Sequence, residues 1–330
     1  MYLVTGGAGF IGSNLVAALC ARGEEVLVVD RLRAGDAGRE KWRNLAHHGI
    51  AGILDPDRLW DYLADAPRPQ AILHLGAVSD TTVRDGDLVA ENNLSLTLRL
   101  WSWCAEHGVP LVYASSAATY GAGEHGFDDD ASPEALARLR PLNLYGWSKH
   151  ATDRRIADLL ARGRAAPPQW AGLKFFNVYG PNEFHKGRMA SVVLHKFRQI
   201  TAGAPATLFK SDRAGIEDGE QLRDFVHVDD CVAAMLWLLD NPGVSGLFNV
   251  GTGTARSFLD LTRAIYAALG KAPDIHFIDM PADLEGKYQS YTQARMDRLR
   301  LAGFSHPPTA LEEGVARYVR NVLLQPDPYI

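Results

Sequence analysis

Cysteine is scarce in this chain of 330 residues: Cys20, Cys104 and Cys231 are widely spaced and odd in number. They form neither a disulfide framework nor a metal motif, and they suit a reducing compartment. No apolar run is long enough to span a bilayer. No signal peptide leads the chain, because MYLVTGG runs straight into a glycine turn. Excess positive charge is missing too. The formal net charge is −5, which disfavours a nucleic-acid-binding surface. The eleven histidines show no metal-ligand spacing, so no metal is expected. Internal repeats and low-complexity tracts are missing as well. What remains is a cytoplasmic globular protein of one large domain or two modest ones. Its 47% hydrophobic and 22% charged content is ordinary for that class.

Short apolar runs alternate with helical patterns through the first half. The strand-like runs are 2–5, 25–30, 71–77, 110–116 and 173–180, and helical patterns cover 10–23 and 92–108. Gly23 and Gly108 sit where a helix end favours a left-handed residue. Strands that are apolar on both faces and separated by helices predict a parallel sheet covered on both sides, the doubly wound α/β class. The stretch GAGEHGFDDDASPE (121–134) reads as an exposed loop. Helices are expected over 229–241, capped by Asp229, and over 257–270, opened by a Ser257/Asp260 pair that resembles a capping box. The closing QPDPYI reads as a frayed tail.

VTGGAGFIG (4–12) follows the first strand and opens the first helix. It fits G-x-G-x-x-G through Gly7, Gly9 and Gly12, and G-x-x-G-x-x-G through Gly6, Gly9 and Gly12. A side chain here would hold the backbone off a pyrophosphate, and the helix start offers free N–H groups and a partial positive charge. An acid at the end of the second strand, Asp30, completes the dinucleotide pattern. Asp30 suits the ribose of NAD. Arg31, Arg33 and Lys41 suit the 2′-phosphate of NADP. NADP is the expected cofactor, with NAD open.

YASSAATYG (113–121) begins near a strand end, and YGWSK (145–149) follows as Y-x-x-x-K. On a helix, Tyr145 and Lys149 share a face. A free tyrosine titrates near 10, and a neighbouring ammonium lowers that value. With Ser116 on the substrate oxygen, the three can exchange a proton with an alcohol while a nicotinamide exchanges hydride with its carbon.

With GGAGFIG (6–12), SSAATYG (115–121), YGWSK (145–149), FNVYGP (176–181) and RDFVHVDD (223–230) in order, the chain resembles the extended short-chain dehydrogenase/reductase family. Members of that family mostly act on nucleotide sugars. The resemblance implies an NADP-binding Rossmann domain over 1–175 plus roughly 224–252. A smaller substrate domain over 176–223 and roughly 253–330 would interleave with it. Ser116 is followed by Ala117 and Ala118, where the family's dehydratases carry an acid pair. HKG and MAS after FNVYGP, with EGKYQSYTQA (285–294), resemble the family's ADP-glycero-manno-heptose 6-epimerases. That likeness implies two acid/base groups, Tyr145 and Lys186, which serve the two positions of the C6 oxygen.

The same likeness assigns Phe10, Ile11, Leu75, Gly76, Ala77, Ser79, Asn92 and Val178 to the cofactor, with Lys149 and Lys186 also near it. It places Asn177, Arg188, His195, Phe209, Lys210, Ser211, Asp212, Arg223 and Tyr288 on a nucleotide-sugar substrate. For Arg223 the plain alternative is a surface ion pair with Asp224. A homo-oligomer is implied, and pentamers occur in the family. The chain departs from the pattern at Arg188, at Leu75 and in a longer 31–45 loop. Other nucleotide-sugar epimerases or reductases, and a non-catalytic dinucleotide sensor, remain as alternatives.

Overall fold

The computed structural model describes residues 1–32, 40–212, 215–281 and 289–330. Six strands come first: β1 (Tyr2–Thr5), β2 (Val26–Val29), β3 (Gly52–Leu54), β4 (Ile72–His74), β5 (Leu111–Ser116) and β6 (Trp170–Phe175). β7 (Asn177–Tyr179), β8 (Ala206–Phe209), β9 (Leu222–Arg223) and β10 (Phe225–His227) follow, then β11 (Gly246–Val250), β12 (Arg256–Ser257) and β13 (Ile275–Ile278). The main sheet has seven strands in the order β11-β6-β5-β4-β1-β2-β3, and every pairing in it is parallel.

Alternation along the strands explains how both faces are covered. Val4, Val28, Leu73 and Val112 point into one core, shared with Leu15, Val16 and Leu19 of helix α1 (Phe10–Ala21). Their neighbours Leu3, Leu27, Ile72 and Leu111 point the other way. They meet Leu100, Trp101 and Cys104 of α2 (Leu96–His107) and Ile156 of α3 (Leu144–Ala161). Strands with both faces buried read as unbroken apolar runs, which is the pattern of the sequence. Each fully buried aliphatic side chain contributes about 1.5–3 kcal/mol. The longer helices that follow are α4 (Val192–Thr201), α5 (Val228–Asp240), α6 (Phe258–Ala268) and α7 (Leu311–Tyr318). A separate core joins Val193 and Ile200 of α4, Leu208, Leu261 and Ile265 of α6, and Val315 and Tyr318 of α7.

Four local expectations need correction. The N-cap of α5 is His227, whose side chain accepts the Asp229 N–H at 3.2 Å. Ser257 does cap α6 through the Asp260 N–H at 3.0 Å. The Asp260 carboxylate turns to Arg256 (3.1 Å) instead of reaching back, because a guanidinium is the stronger partner. In the 121–134 loop, Phe127 and Asp129 are buried, and Asp129 accepts the Asn249 N–H at 2.8 Å. The closing residues are not frayed: Asp327, Tyr329 and Ile330 pack against residues 43–48 and 182–184.

Candidate active site

The strand order reverses direction at β1, between β2 and β4. In open α/β sheets that switch point leaves a crevice outside the carboxyl ends of the strands. The residues singled out in the sequence leave the sheet at this edge. Gly6 follows β1, Asp30 follows β2, Leu75 follows β4, Ser116 ends β5 and Asn177 lies just past β6.

The glycine loop is required by contact. Gly6 has φ +68°, and a Cβ there would stand 2.6 Å from the Gly76 nitrogen; a Cβ on Gly12 would stand 2.1 Å from the Gly6 oxygen. Helix α1 starts at Gly9 with no side-chain cap and no acid in its first turn. Its first N–H groups and partial positive charge therefore face the crevice, an arrangement that fits a dinucleotide pyrophosphate. Asp30 is buried. It accepts the N–H groups of Ala8 (2.9 Å) and Arg31 (2.8 Å), and Lys41 Nζ lies 2.5 Å from its Oδ1. Arg31 is drawn instead to Asp57. Arg33 lies outside the described residues.

A buried relay fixes the segment after β4. Thr97 Oγ1 donates to the Asn93 carbonyl (2.7 Å), so it must accept from His74 Nε2 (3.0 Å). His74 Nδ1 is then the acceptor for Thr5 Oγ1 (2.6 Å), which itself accepts the Gly76 N–H (3.2 Å). This order requires a neutral imidazole, and burial, with Lys149 adding to it, pushes its pKa down to about 3. Asn93 brackets Val78 through both backbone groups, at 2.8 and 2.9 Å, and donates to Ser148 of α3 at 2.9 Å. It sits in π-helical turns, Ala90–Ser95, of a kind frequent at functional sites. Thr5, His74, Asn93 and Thr97 were not singled out from the sequence. Asn93 stands beside Asn92, whose amide bonds its own helix at Leu88 O (2.8 Å). Gly76, Ala77 and the exposed Ser79 lie on the segment this relay holds.

Ser116 closes β5 and its hydroxyl caps the Ala118 N–H at 3.1 Å. Asn143 caps α3 through Gly146 N–H at 2.8 Å and so sets Tyr145 and Lys149 on the turns beside β5. Tyr145 is held above its ordinary pKa by burial, with a hydrogen bond from Ser116 acting against that. The lowered phenol expected from the Y-x-x-x-K spacing is therefore not the state of the protein alone. Burial is the larger influence on Tyr145, and Lys149 is desolvated too: it is 2% exposed and pushed down to about 8, with Asp153 opposing. One turn further, Asp153 accepts from Lys174 (2.9 Å), Ser115 (2.7 Å) and Tyr113 (3.1 Å), with Lys174 and Asp153 fully buried. This pair pins α3 to β5 and β6. It too escaped the sequence reading, since the partners are 21 residues apart.

Lys186 lies on a tight turn, Phe184–Met189, kinked at Gly187 (φ 61°). Its ammonium sits 5.0 Å over the ring of Phe10, at the start of α1. Burial lowers its pKa, against the field of Glu183. Glu183 is itself buried and anchors the turn to α4 by accepting the Ser191 hydroxyl at 2.6 Å. The structure thus brings Lys186 to the glycine loop, while Ser116 and Tyr145 meet at the end of β5.

The remaining residues are more scattered. Arg188 reaches Thr82, beyond the 75–79 segment, and its carbonyl is 3.2 Å from His195 Nε2. Asn177 is exposed, with its Oδ1 3.3 Å from Thr292 Oγ1, and Val178 follows it on β7. Arg223 is buried, 5.4 Å over the Phe258 ring, not a surface residue. Asp224 beside it serves the N–H groups of Thr252 (2.8 Å), Gly253 (2.9 Å) and Ala294 (3.0 Å). Phe209 ends β8. After it, Lys210 pairs with Asp279 at 2.9 Å, Ser211 N–H bonds Asp218 at 2.8 Å, and Asp212 is exposed. Tyr288 lies outside the described residues. Among the described residues no group of three or more His, Cys, Asp or Glu is placed to hold a metal, and no helix is long and apolar enough to cross a membrane.

The chain is similar to known proteins along its whole length. Residues 2–251 match the model of the NAD dependent epimerase/dehydratase family. The ADP-L-glycero-D-manno-heptose-6-epimerase of Fusobacterium nucleatum is 46% identical over 340 aligned residues, covering 100% of both chains. That of Nitratidesulfovibrio vulgaris is 47% identical over 334, again covering 100% of both. Among solved structures, the Helicobacter pylori enzyme of the same name superposes with a TM-score of 0.81 at 28% identity, covering 98% of this chain and 96% of that one. A Thermus thermophilus UDP-glucose 4-epimerase, solved with NAD, gives 0.75 at 30% identity over 96% and 97%. The chain belongs to the NAD dependent epimerase/dehydratase family, and its full length aligns with heptose 6-epimerases of that family.

Proposed function

We propose that this chain is an ADP-glycero-manno-heptose 6-epimerase. The observation that carries the reading is Lys186, a half-buried lysine whose amine lies over Phe10 at the start of α1, beside the glycine loop. Gly6–Gly12, Asp30 and the 75–79 segment would hold a nicotinamide dinucleotide, which would supply a hydride acceptor able to return what it takes. Tyr145 takes the proton of the C6 hydroxyl in one diastereomer, and Ser116 hydrogen-bonds the same oxygen. Lys149 stabilises the phenolate once the substrate has displaced water. After the side chain turns, the oxygen lies on the other side, and Lys186 delivers the proton there. Burial lowers the pKa of this amine, which makes it a better proton donor than an ordinary lysine.

Lys41 beside Asp30 supports NADP over NAD, because an ammonium there offsets the carboxylate that would repel a 2′-phosphate. The substrate contacts fall to Asn177, Arg188, His195, the 209–212 run, Arg223 and Tyr288. The reading includes a cytoplasmic homo-oligomer, for which sedimentation velocity is the check.

The test is proton NMR of ADP-D-glycero-D-manno-heptose with the enzyme, following reduced-nicotinamide absorbance in the same sample. The expected result is conversion to the L-glycero epimer with no lasting absorbance change. Tyr145→Phe and Lys186→Met should each lower turnover by about 10²-fold or more while dinucleotide remains bound. Full turnover in Lys186→Met would remove the two-base scheme. Stoichiometric consumption of reduced dinucleotide would make the protein a reductase instead.

A further inference from the structure

The turn that carries Lys186 is held from two sides. On the inner side, Asn14 donates to the Pro181 carbonyl (3.1 Å) and Asn182 to Ser13 Oγ (3.1 Å). Asn44 Nδ2 lies within reach of Ala8 O (2.9 Å), Asn182 O (3.1 Å) and His185 Nδ1 (3.2 Å). On the outer side stand the closing residues of the chain. The Tyr329 ring packs 5.2 Å from that of Phe184 and lies 4.3 Å under the Arg43 guanidinium. Ile330 N–H donates to Asn182 Oδ1 (3.3 Å), and Asp327 takes Arg43 (3.5 Å) and His47 (3.1 Å). Asn182 is the non-glycine residue with positive φ (67°) among the described residues, a conformation that persists only when its surroundings support it.

We propose that Tyr329 is a positioning residue for Lys186: its ring, in contact with Phe184 and Arg43, holds the turn Phe184–Met189 down so that the Lys186 amine stays over Phe10, half-shielded from water. The kinetic part of this inference rests on the reading of Lys186 as the second acid/base group; the placement of the amine does not. The charged and titratable groups around the turn are Glu183 just before it, His185 and Arg188 on it, Lys41, Arg43 and His47 on the adjoining segment, Tyr318 of α7 beside Glu183, Asp327 on the closing residues, and His195 and Arg198 of α4, the latter 5.9 Å from the Phe184 ring. None of these is removed with the ring. Loss of the ring lets water reach the amine, so its titration moves up toward the ordinary lysine range. A merely less stable protein would instead lose activity equally at all pH values.

The experiment compares Tyr329→Ala and Tyr329→Phe with wild type. Lys186 is titrated by brief acetic anhydride pulses between about pH 7 and 11, read by mass spectrometry of its peptide, with exposed Lys210 as control. Tyr329→Ala should raise the Lys186 midpoint by about half a unit or more, while Tyr329→Phe stays at wild type and Lys210 does not move. Turnover of the heptose should fall about ten-fold in Tyr329→Ala, its pH profile moving the same way, with KM within about two-fold and rescue by Tyr329→Phe. An unmoved Lys186 midpoint in folded Tyr329→Ala overturns the proposal. Absence of wild-type turnover would overturn the reaction assigned above, and the amine titration would still decide the role of Tyr329. Should Tyr329→Ala not fold, Phe184→Leu removes the opposite ring of the same contact and is read identically.

Discussion

The buried pair Lys174–Asp153 yields the sharpest energetic prediction. Both side chains are fully excluded from water, 2.9 Å apart. Asp153→Ala leaves the Lys174 ammonium with the Thr119 hydroxyl at 2.7 Å and the Tyr120 ring at 4.7 Å, neither of which carries a compensating charge. An unpaired buried charge costs about 3–5 kcal/mol, and the orphaned Ser115 and Tyr113 hydroxyls add to it. Lys174→Met leaves Asp153 with those two hydroxyls, at a cost of about 3 kcal/mol. The double variant strands no charge, so it should be more stable than the sum of the single losses by about 2–3 kcal/mol. Urea unfolding followed by tryptophan fluorescence measures each corner of the cycle. A coupling below about 0.5 kcal/mol would refute the view that this pair is a desolvated charge pair holding α3 to the sheet. The pair also reaches the chemistry. Asp153 supports the charge on Lys149, whose pKa burial has already pushed down to about 8. In Asp153→Asn the Lys149 limb of the pH–rate profile should therefore move to still lower pH.

Other consequences are as direct. Gly12→Ala places a Cβ 2.1 Å from the Gly6 carbonyl and should abolish dinucleotide binding in a fluorescence titration, whereas Gly49→Ala, with open space around it, should bind as wild type. Lys41→Ala should weaken NADP by about ten-fold or more and NAD by much less, and equal losses would argue against a 2′-phosphate role. His74 titrates near 6.5 when unfolded and near 3 when folded. Between those values the unfolded state binds more protons. Stability present above pH 6.5 is therefore lost as pH falls, by up to about 1.4 kcal/mol per unit from this group. Urea midpoints of wild type and His74→Asn between pH 7.5 and 4.5 should differ by that slope; parallel curves would mean the ring is not held neutral.

The sequence showed elements whose signal is local. Strand β1 has the predicted bounds, and the runs ending in Asp30 and Ser116 lie within one residue of the observed strands. Each is a patch of β-branched or aliphatic residues ended by a turn, and both faces of such a strand are buried whatever its neighbours are. The glycine loop was equally legible, because backbone contact at Gly6 and Gly12 leaves no other residue type. What composition and spacing missed are groups whose partners lie far along the chain: His74 with Thr5, Asp153 with Lys174, and Asn44 with Asn182. A threonine and a histidine 69 residues apart carry no joint pattern in one sequence.

The misreading of Tyr145 follows from the same limit. Spacing of i and i+4 fixes that two side chains share a face, and it says nothing about water. In the folded protein the desolvation of Tyr145 and Lys149 acts on both and opposes charge on each. A phenolate–ammonium pair in such a place is stabilised only when both charges form together. The phenolate must therefore form beside a protonated Lys149 before Tyr145 can take the substrate proton, and the Ser116 hydrogen bond favours that charged form. The lysines around the site therefore differ in kind. Lys174 keeps a carboxylate partner at 2.9 Å, whereas Lys149 and Lys186 have their pKa lowered by burial below the ordinary lysine value. Residue type and motif do not separate these roles; the carboxylate at 2.9 Å from one and not from the others does.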